Sequence, residues 1–232
     1  MRSAAILTGG QATRFGGRDK AALLVDGWTI LERQLAALAP LTDDVIIVGR
    51  SRTVVAQGFP ASAREENERA TARLAEAPEA RRRQPCDRSP ERAAPQAIPD
   101  IVPGCGPLGG LHAALTAAGS DVLFLVACDM PYVTTPFIAY LLSLAGEADV
   151  VVPESERGYH PLCAVYSRAC LEPAAARLAD RRLKMLDLVA CMRARVVAVE
   201  EIRRFGDPDR LLANVNTPDE YAGLVALQGH KL

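Results

Sequence analysis

Histidine is scarce in this chain. His112, His160 and His230 are too few and too scattered to build a histidine-based metal centre. Cysteine is present six times but never as a C-x-x-C pair, which argues against a zinc site and against a thioredoxin-like motif. Buried, reduced thiols are the expectation. No excess of charge of either sign exists. The net charge of −1 excludes a global attraction to nucleic acid or to an anionic membrane, so a small anionic ligand has to be held by a local site. Long hydrophobic runs are missing too. The run from Val122 to Cys128 is far too short to cross a bilayer, and the apolar stretch near Met1 is too short for a signal peptide, so a cytoplasmic location is expected.

The length of 232 residues suits one sizeable α/β domain, spanning 1–232, better than two small ones. Ala4 to Leu7 reads as a buried strand stopped by glycines. A helical pattern follows from Thr29 with Leu31, Leu35 and Leu38 on one face, and Val45 to Val48 is a β-branched second strand. Strand, helix and strand with continuous apolar strands imply a parallel sheet. Val122 to Ala127, Val150 to Val152, Leu162 to Tyr166 and Val196 to Val199 read as further strands. Helices are expected over 111–118, 135–144, 170–179 and 184–192, and a last one opens at Thr217-Pro218 with Glu220. Residues 61–96 depart from this pattern. They are rich in Arg and Glu, carry prolines in their second half and offer a single Leu, Leu74. A charged surface insertion, partly helical or disordered, is expected there.

Four places carry chemistry. Gly9, Gly10, Gly16 and Gly17 follow directly on the first strand, with Arg14 and Lys20 among them. Glycine permits positive φ and close approach of backbone N–H groups to phosphate oxygens, while Arg and Lys add the charge that neutralises a triphosphate and helps pyrophosphate leave. This is not a Walker A loop, because Lys20 stands three residues after Gly17 and Ala21 follows it. Nor is it G-x-G-x-x-G. Asp129 stands at the tip of the most apolar strand, where ligands of parallel sheets bind and where one carboxylate suits Mg²⁺. Asp100, with the small-residue loop Gly104 to Gly110 that contains Gly106, Pro107 and Leu108, fits a base or ribose. Asn214 and Asn216 precede a capped helix and fit phosphate or metal-bound water. His160-Pro161, beside Tyr159, reads equally as an acceptor contact or a structural turn, and His112 is given no role.

The stretches LTGGQATRFGGRDKAAL, PGCGPLGGLHAAL, LFLVACDMPY, HPLCAVY and NVNTPDEY, in this order, resemble the molybdenum cofactor guanylyltransferase family within the glycine-rich-loop nucleotidyltransferases. The resemblance implies a three-layer, Rossmann-like nucleotidyltransferase fold with a mostly parallel sheet and helices on both faces. It implies transfer of GMP from GTP to molybdopterin with release of pyrophosphate, and transient contact with proteins that deliver or receive the cofactor. Nucleotide contacts would fall to Leu7, Thr8, Gly9, Gly10, Lys20, Asp100, Gly106, Pro107 and Leu108. Asp129 would bind Mg²⁺ with Asn216 nearby, and Arg14, Lys20 and Asp129 would be catalytic. The family often has Ala at the place of Thr8 and Met at that of Phe15, and an Asn common after its second strand has no match at Val48-Gly49. A cytidylyltransferase, another phosphorylated acceptor, or a nucleotide-binding module without turnover are the competing expectations.

Overall fold

The computed structural model describes residues 1–8, 20–49, 95–99 and 104–215. The glycine loop 9–19, most of the insertion, Asp100, and the C-terminal segment with Asn216 and the expected Thr217 helix lie outside these residues.

The main sheet is built from β1 (Ser3–Leu7), β4 (Asp44–Val48), β5 (Gln96–Ile98), β6 (Val122–Ala127), β7 (Val150–Ser155), β9 (Cys163–Ser167) and β10 (Ala194–Val197), in the order β10-β7-β9-β6-β1-β4-β5. β1 pairs in parallel with β4 and β6, β4 with β5, and β10 with β7. β9 runs antiparallel to both β6 and β7. The short β8 (Gly158–Tyr159) returns antiparallel on β7. A separate hairpin joins β2 (Leu24–Val25) to β3 (Trp28–Thr29). The fold is thus α/β with a mostly parallel sheet.

Side chains on a strand alternate between faces, and each face of this sheet is covered. Ala4, Ile6, Phe124 and Val126 pack on one side with Leu31 and Leu38 of α1 (Ile30–Leu38) and Phe137 and Leu141 of α3 (Thr135–Ser143). Ala5, Leu7, Leu123 and Leu125 pack on the other with Leu111 of α2 (Gly106–Ala117), Leu178 of α4 (Leu171–Ala179) and Leu188 of α5 (Met185–Cys191). Two short helices, α6 (Val199–Ile202) and α7 (Pro208–Leu211), complete the first side.

α1 starts at Thr29 through a reciprocal cap: Glu32 N donates to Thr29 Oγ1 at 3.1 Å, and Thr29 N donates to Glu32 Oε2 at 2.8 Å. The sequence-read loop Gly106 to Gly110 is instead the first part of α2. Pro107 suits a first helical turn, and Gly109 and Gly110 are buried against the sheet, so tertiary packing overrides their poor helix propensity. The late strand is 194–197 rather than 196–199. Gln96, the last residue of the charged insertion as read from sequence, is the first residue of β5.

Candidate functional site

β1 and β6 are direct parallel neighbours, with Leu7 opposite Ala127. Cys128 N donates to Leu7 O at 3.0 Å. The chain therefore leaves β1 toward the glycine loop and leaves β6 toward Asp129 at the same carboxyl edge, side by side. Thr8 continues the ladder one residue beyond β1, since its N–H and its hydroxyl both donate to Val48 O, at 2.8 and 3.0 Å. What Thr8 offers outward is its carbonyl and the lone pairs of its hydroxyl. The Leu7 side chain is buried against α2.

α2 opens at this same edge. Gly104 and Gly106 have φ of +81° and +59°, values that side-chain-bearing residues rarely adopt. Cys105 at the N-cap makes no side-chain capping bond, and no acidic residue stands in the first turn. The positive end of the helix dipole is thereby left to an incoming anion. Gly106 and Pro107 are exposed, while the Leu108 side chain is fully buried and leaves only its backbone to contact a ligand.

Lys20 begins a 3₁₀ turn, Lys20–Ala22, anchored by the fully buried Ala21. Leu23 then accepts from Ile30 N at 3.0 Å, which folds the segment onto the start of α1. Val25 and Ile30 pack with Tyr132 and Val215, so the chain following Lys20 meets the chain following Asp129. Asp129 itself is half-buried in the turn between β6 and α3. Its carbonyl accepts from Val215 N at 2.8 Å, which brings the residue preceding Asn216 alongside it. No group of three His, Cys, Asp or Glu side chains that could hold a metal occurs among the described residues. One carboxylate is too little for a resident metal cage, but it suits a Mg²⁺ that arrives with triphosphate oxygens and water as its other ligands.

The sequence reading missed a basic cluster. Arg181, Arg182 and Lys184 form the connection from α4 to α5, and all three are exposed. Arg181 adopts φ +57°, unusual for a side-chain-bearing residue, and directs Nη1 to Cys105 Sγ at 3.8 Å, beside the start of α2. Two adjacent arginines between helices look like ordinary surface charge in a sequence. Only the packing of α4 on α2 brings Arg181 to the start of α2.

His160 lies beyond the β7–β8 turn. Its Nε2 is 2.7 Å from Ser155 Oγ, and its N–H donates to Pro153 O. Burial and then the neighbouring Arg157 charge hold its pKa below the usual 6.5, against an opposing pull from Asp209. It is thus mainly a neutral ring at pH 7. Of the cysteines, Cys105, Cys128, Cys163 and Cys170 are buried free thiols as expected, whereas Cys191 is exposed. Burial pushes the Cys163 and Cys170 thiols up to about 12, so neither is a nucleophile.

Comparison with known proteins agrees with this arrangement. Residues 4–190 match the MobA-like NTP transferase domain. A molybdenum cofactor guanylyltransferase of Desulfosudis oleivorans is 30% identical over 217 residues, covering 93% of this chain and 90% of that protein. The solved structure of molybdopterin-guanine dinucleotide biosynthesis protein A from Archaeoglobus fulgidus superposes with a TM-score of 0.70 at 21% identity, over 98% of both chains. The Rv0371C protein of Mycobacterium tuberculosis, solved in complex with manganese, superposes with a TM-score of 0.57 at 16% identity over 97% of this chain and 98% of that one. This chain therefore belongs to the MobA-like NTP transferase family and is a nucleotidyltransferase.

Proposed function

We propose that the protein transfers GMP from GTP to molybdopterin, releases pyrophosphate and so forms the guanine dinucleotide of the cofactor. The observation that carries this reading is the pairing of β1 with β6 in register, Leu7 opposite Ala127. It starts the connection to the glycine loop and the connection carrying Asp129 side by side at one edge of the sheet, which supports their acting on one polyphosphate. The guanylyltransferase name of the Desulfosudis relative supports the choice of base and acceptor.

In this reading the guanine nucleoside rests against the backbone of Leu7 to Gly10, Asp100 and the start of α2 at Gly106 to Leu108. Arg14 and Lys20 neutralise the β- and γ-phosphates. Asp129 and Asn216 hold a divalent cation, and the manganese bound by the M. tuberculosis structural relative supports such a site. When bound, Mg²⁺ would supply charge stabilisation at the α-phosphate. A terminal phosphate oxygen of molybdopterin attacks the α-phosphorus. The new P–O bond forms as the bond to the α,β-bridging oxygen breaks, and pyrophosphate carries away the electron pair. A phosphate monoester is already anionic at pH 7, with a second pKa of about 6, so no strong general base is required. Positioning and charge neutralisation then provide the rate. Arg181, beside the start of α2, would meet a second phosphorylated substrate, with the exposed Arg182 and Lys184 next to it in sequence.

Pyrophosphate release with GTP, CTP and ATP, each with and without molybdenum-loaded molybdopterin, tests the proposal. Release with GTP that depends on the acceptor is expected. Preference for CTP would make the protein a cytidylyltransferase, and no release with any nucleotide would make it a binding module. Substrates found in the cytoplasm, and transient docking with proteins that deliver or receive the cofactor, complete the proposal.

A further inference from the structure

The turn that carries Asp129 is held from one side by two consecutive residues of α1. Gln34 is almost fully buried, and its Nε2 donates to Ala127 O at 2.7 Å and to Met130 O at 3.1 Å, the two carbonyls that bracket Cys128 and Asp129. Both acceptors are carbonyls, which fixes the amide nitrogen toward them. Next to it, Arg33 Nε donates to Pro131 O at 3.1 Å, and its guanidinium lies 5.9 Å from the Tyr132 ring centroid. The same guanidinium reaches back through Nη1 to Val25 O at 3.3 Å and Asp26 Oδ2 at 3.1 Å. Arg33 thus fastens the hairpin that follows Lys20 to the turn that carries Asp129.

The arrangement is poorly suited to stability alone. Among the described residues Gln34 Oε1 is buried and meets no hydrogen-bond donor, a penalty that an apolar side chain of the same shape would not incur. A polar residue on the core face of α1 is accounted for by what its two donors hold.

We propose that Gln34, assisted by Arg33, is a positioning residue: it fixes the 127–131 turn so that the Asp129 carboxylate faces the nucleotide-borne cation. The proposal rests on the reading of Asp129 as the carboxylate that holds that cation. Groups that orient a metal ligand without touching the metal commonly matter about tenfold or more in metal affinity.

The test is binding of Mn²⁺ in the presence of a non-hydrolysable GTP analogue, with free Mn²⁺ followed by electron paramagnetic resonance. Wild type, Gln34→Met, Arg33→Lys and Asp129→Asn are compared. Gln34→Met keeps the shape and removes the donors; Arg33→Lys keeps the charge and loses the fork. For Gln34→Met the expected result is Mn²⁺ affinity lower by about tenfold, with metal-free binding of the analogue unchanged and the variant folded, its Tm lowered because Ala127 O and Met130 O lose a donor. Unchanged Mn²⁺ affinity overturns the proposal. So does a parallel loss of metal and analogue binding, which would make Gln34 an ordinary core residue. If Gln34→Met does not fold, Arg33→Lys decides by the same criteria. Unchanged Mn²⁺ affinity in Asp129→Asn would instead overturn the reading of Asp129 itself.

Discussion

Gly110 packs directly against Leu7 of β1, and adding a single methyl group there has a calculable result. A Cβ on Gly110 would stand 2.8 Å from Leu7 Cδ2, 3.4 Å from Cδ1 and 3.7 Å from Cγ. Carbon atoms prefer about 3.5–4.0 Å, so Leu7 must move. Leu7 is only 7% exposed, so its side chain has to repack within the core that it shares with α2. Gly→Ala inside a helix gains about 1 kcal/mol in propensity, whereas overpacking a well-filled core costs about 1–3 kcal/mol. Gly110→Ala should therefore lose about 1 kcal/mol net, which lowers Tm by about 2–4 °C in a chain of this length. Leu7→Ala alone should lose about 2–5 kcal/mol. The double variant should lose less than the sum by about 1–3 kcal/mol, because the methyl group then fills the vacated space. Urea unfolding of the four proteins gives the cycle. Because Leu7 immediately precedes Thr8, Gly110→Ala should also weaken GTP binding. A higher Tm for Gly110→Ala, or strict additivity in the cycle, would refute the reasoning.

Two further expectations concern the supports of the site. Thr29→Ala removes one half of the α1 cap and should cost about 1 kcal/mol by urea unfolding; because α1 carries Gln34, the variant should also need more metal for half-maximal activity. Glu201 accepts from Arg195 Nη2 at 2.7 Å, from the Tyr140 hydroxyl and from Ala198 N at 3.1 Å. The Arg195 bonds first, then Tyr140, hold its carboxyl at about 2 instead of 4.5. A lowered folded-state pKa gives stability that is complete above the unfolded value and is lost as pH falls from about 4.5 through about 2. Glu201→Gln should lower Tm at pH 7 by about 2–4 °C, on the order of one partly exposed charged hydrogen bond, and should flatten the fall of Tm on acidification. An unchanged acid limb, followed by calorimetry between pH 5 and pH 2, would count against it.

Much of the frame is legible in the residues, and the reason differs from element to element. β6 stands out because seven apolar residues, Val122 to Cys128, are bounded by Asp121 and Asp129, a run of strand length too short for a typical buried helix. The start of α2 is not legible. Glycine and proline argue for a loop locally, and only the burial of Gly109 and Gly110, the latter against Leu7 of β1, reverses the argument. The β2–β3 hairpin has its sign in the residue pair Asp26-Gly27, both at positive φ, the usual pair of a two-residue hairpin turn. β5 is three residues long and adjoins a charged stretch, so it leaves no periodic trace.

Site residues follow the same division. Asp129 is visible because a lone acid ends an apolar strand. Gln34 and Arg181 are not, since their significance arises from which element packs beside which. A polar residue amid apolar helix positions and a pair of arginines between helices are common on any surface. Strand order decides their meaning, and strand order is not written in any one segment.

The central claim is that the glycine loop and Asp129 act on one polyphosphate. Its most direct test is the rate of pyrophosphate release from GTP by Asp129→Asn, with magnesium and molybdenum-loaded molybdopterin present and folding monitored by circular dichroism. The account predicts a folded protein slower by at least about a hundredfold. Turnover at the wild-type rate by the folded variant would contradict it.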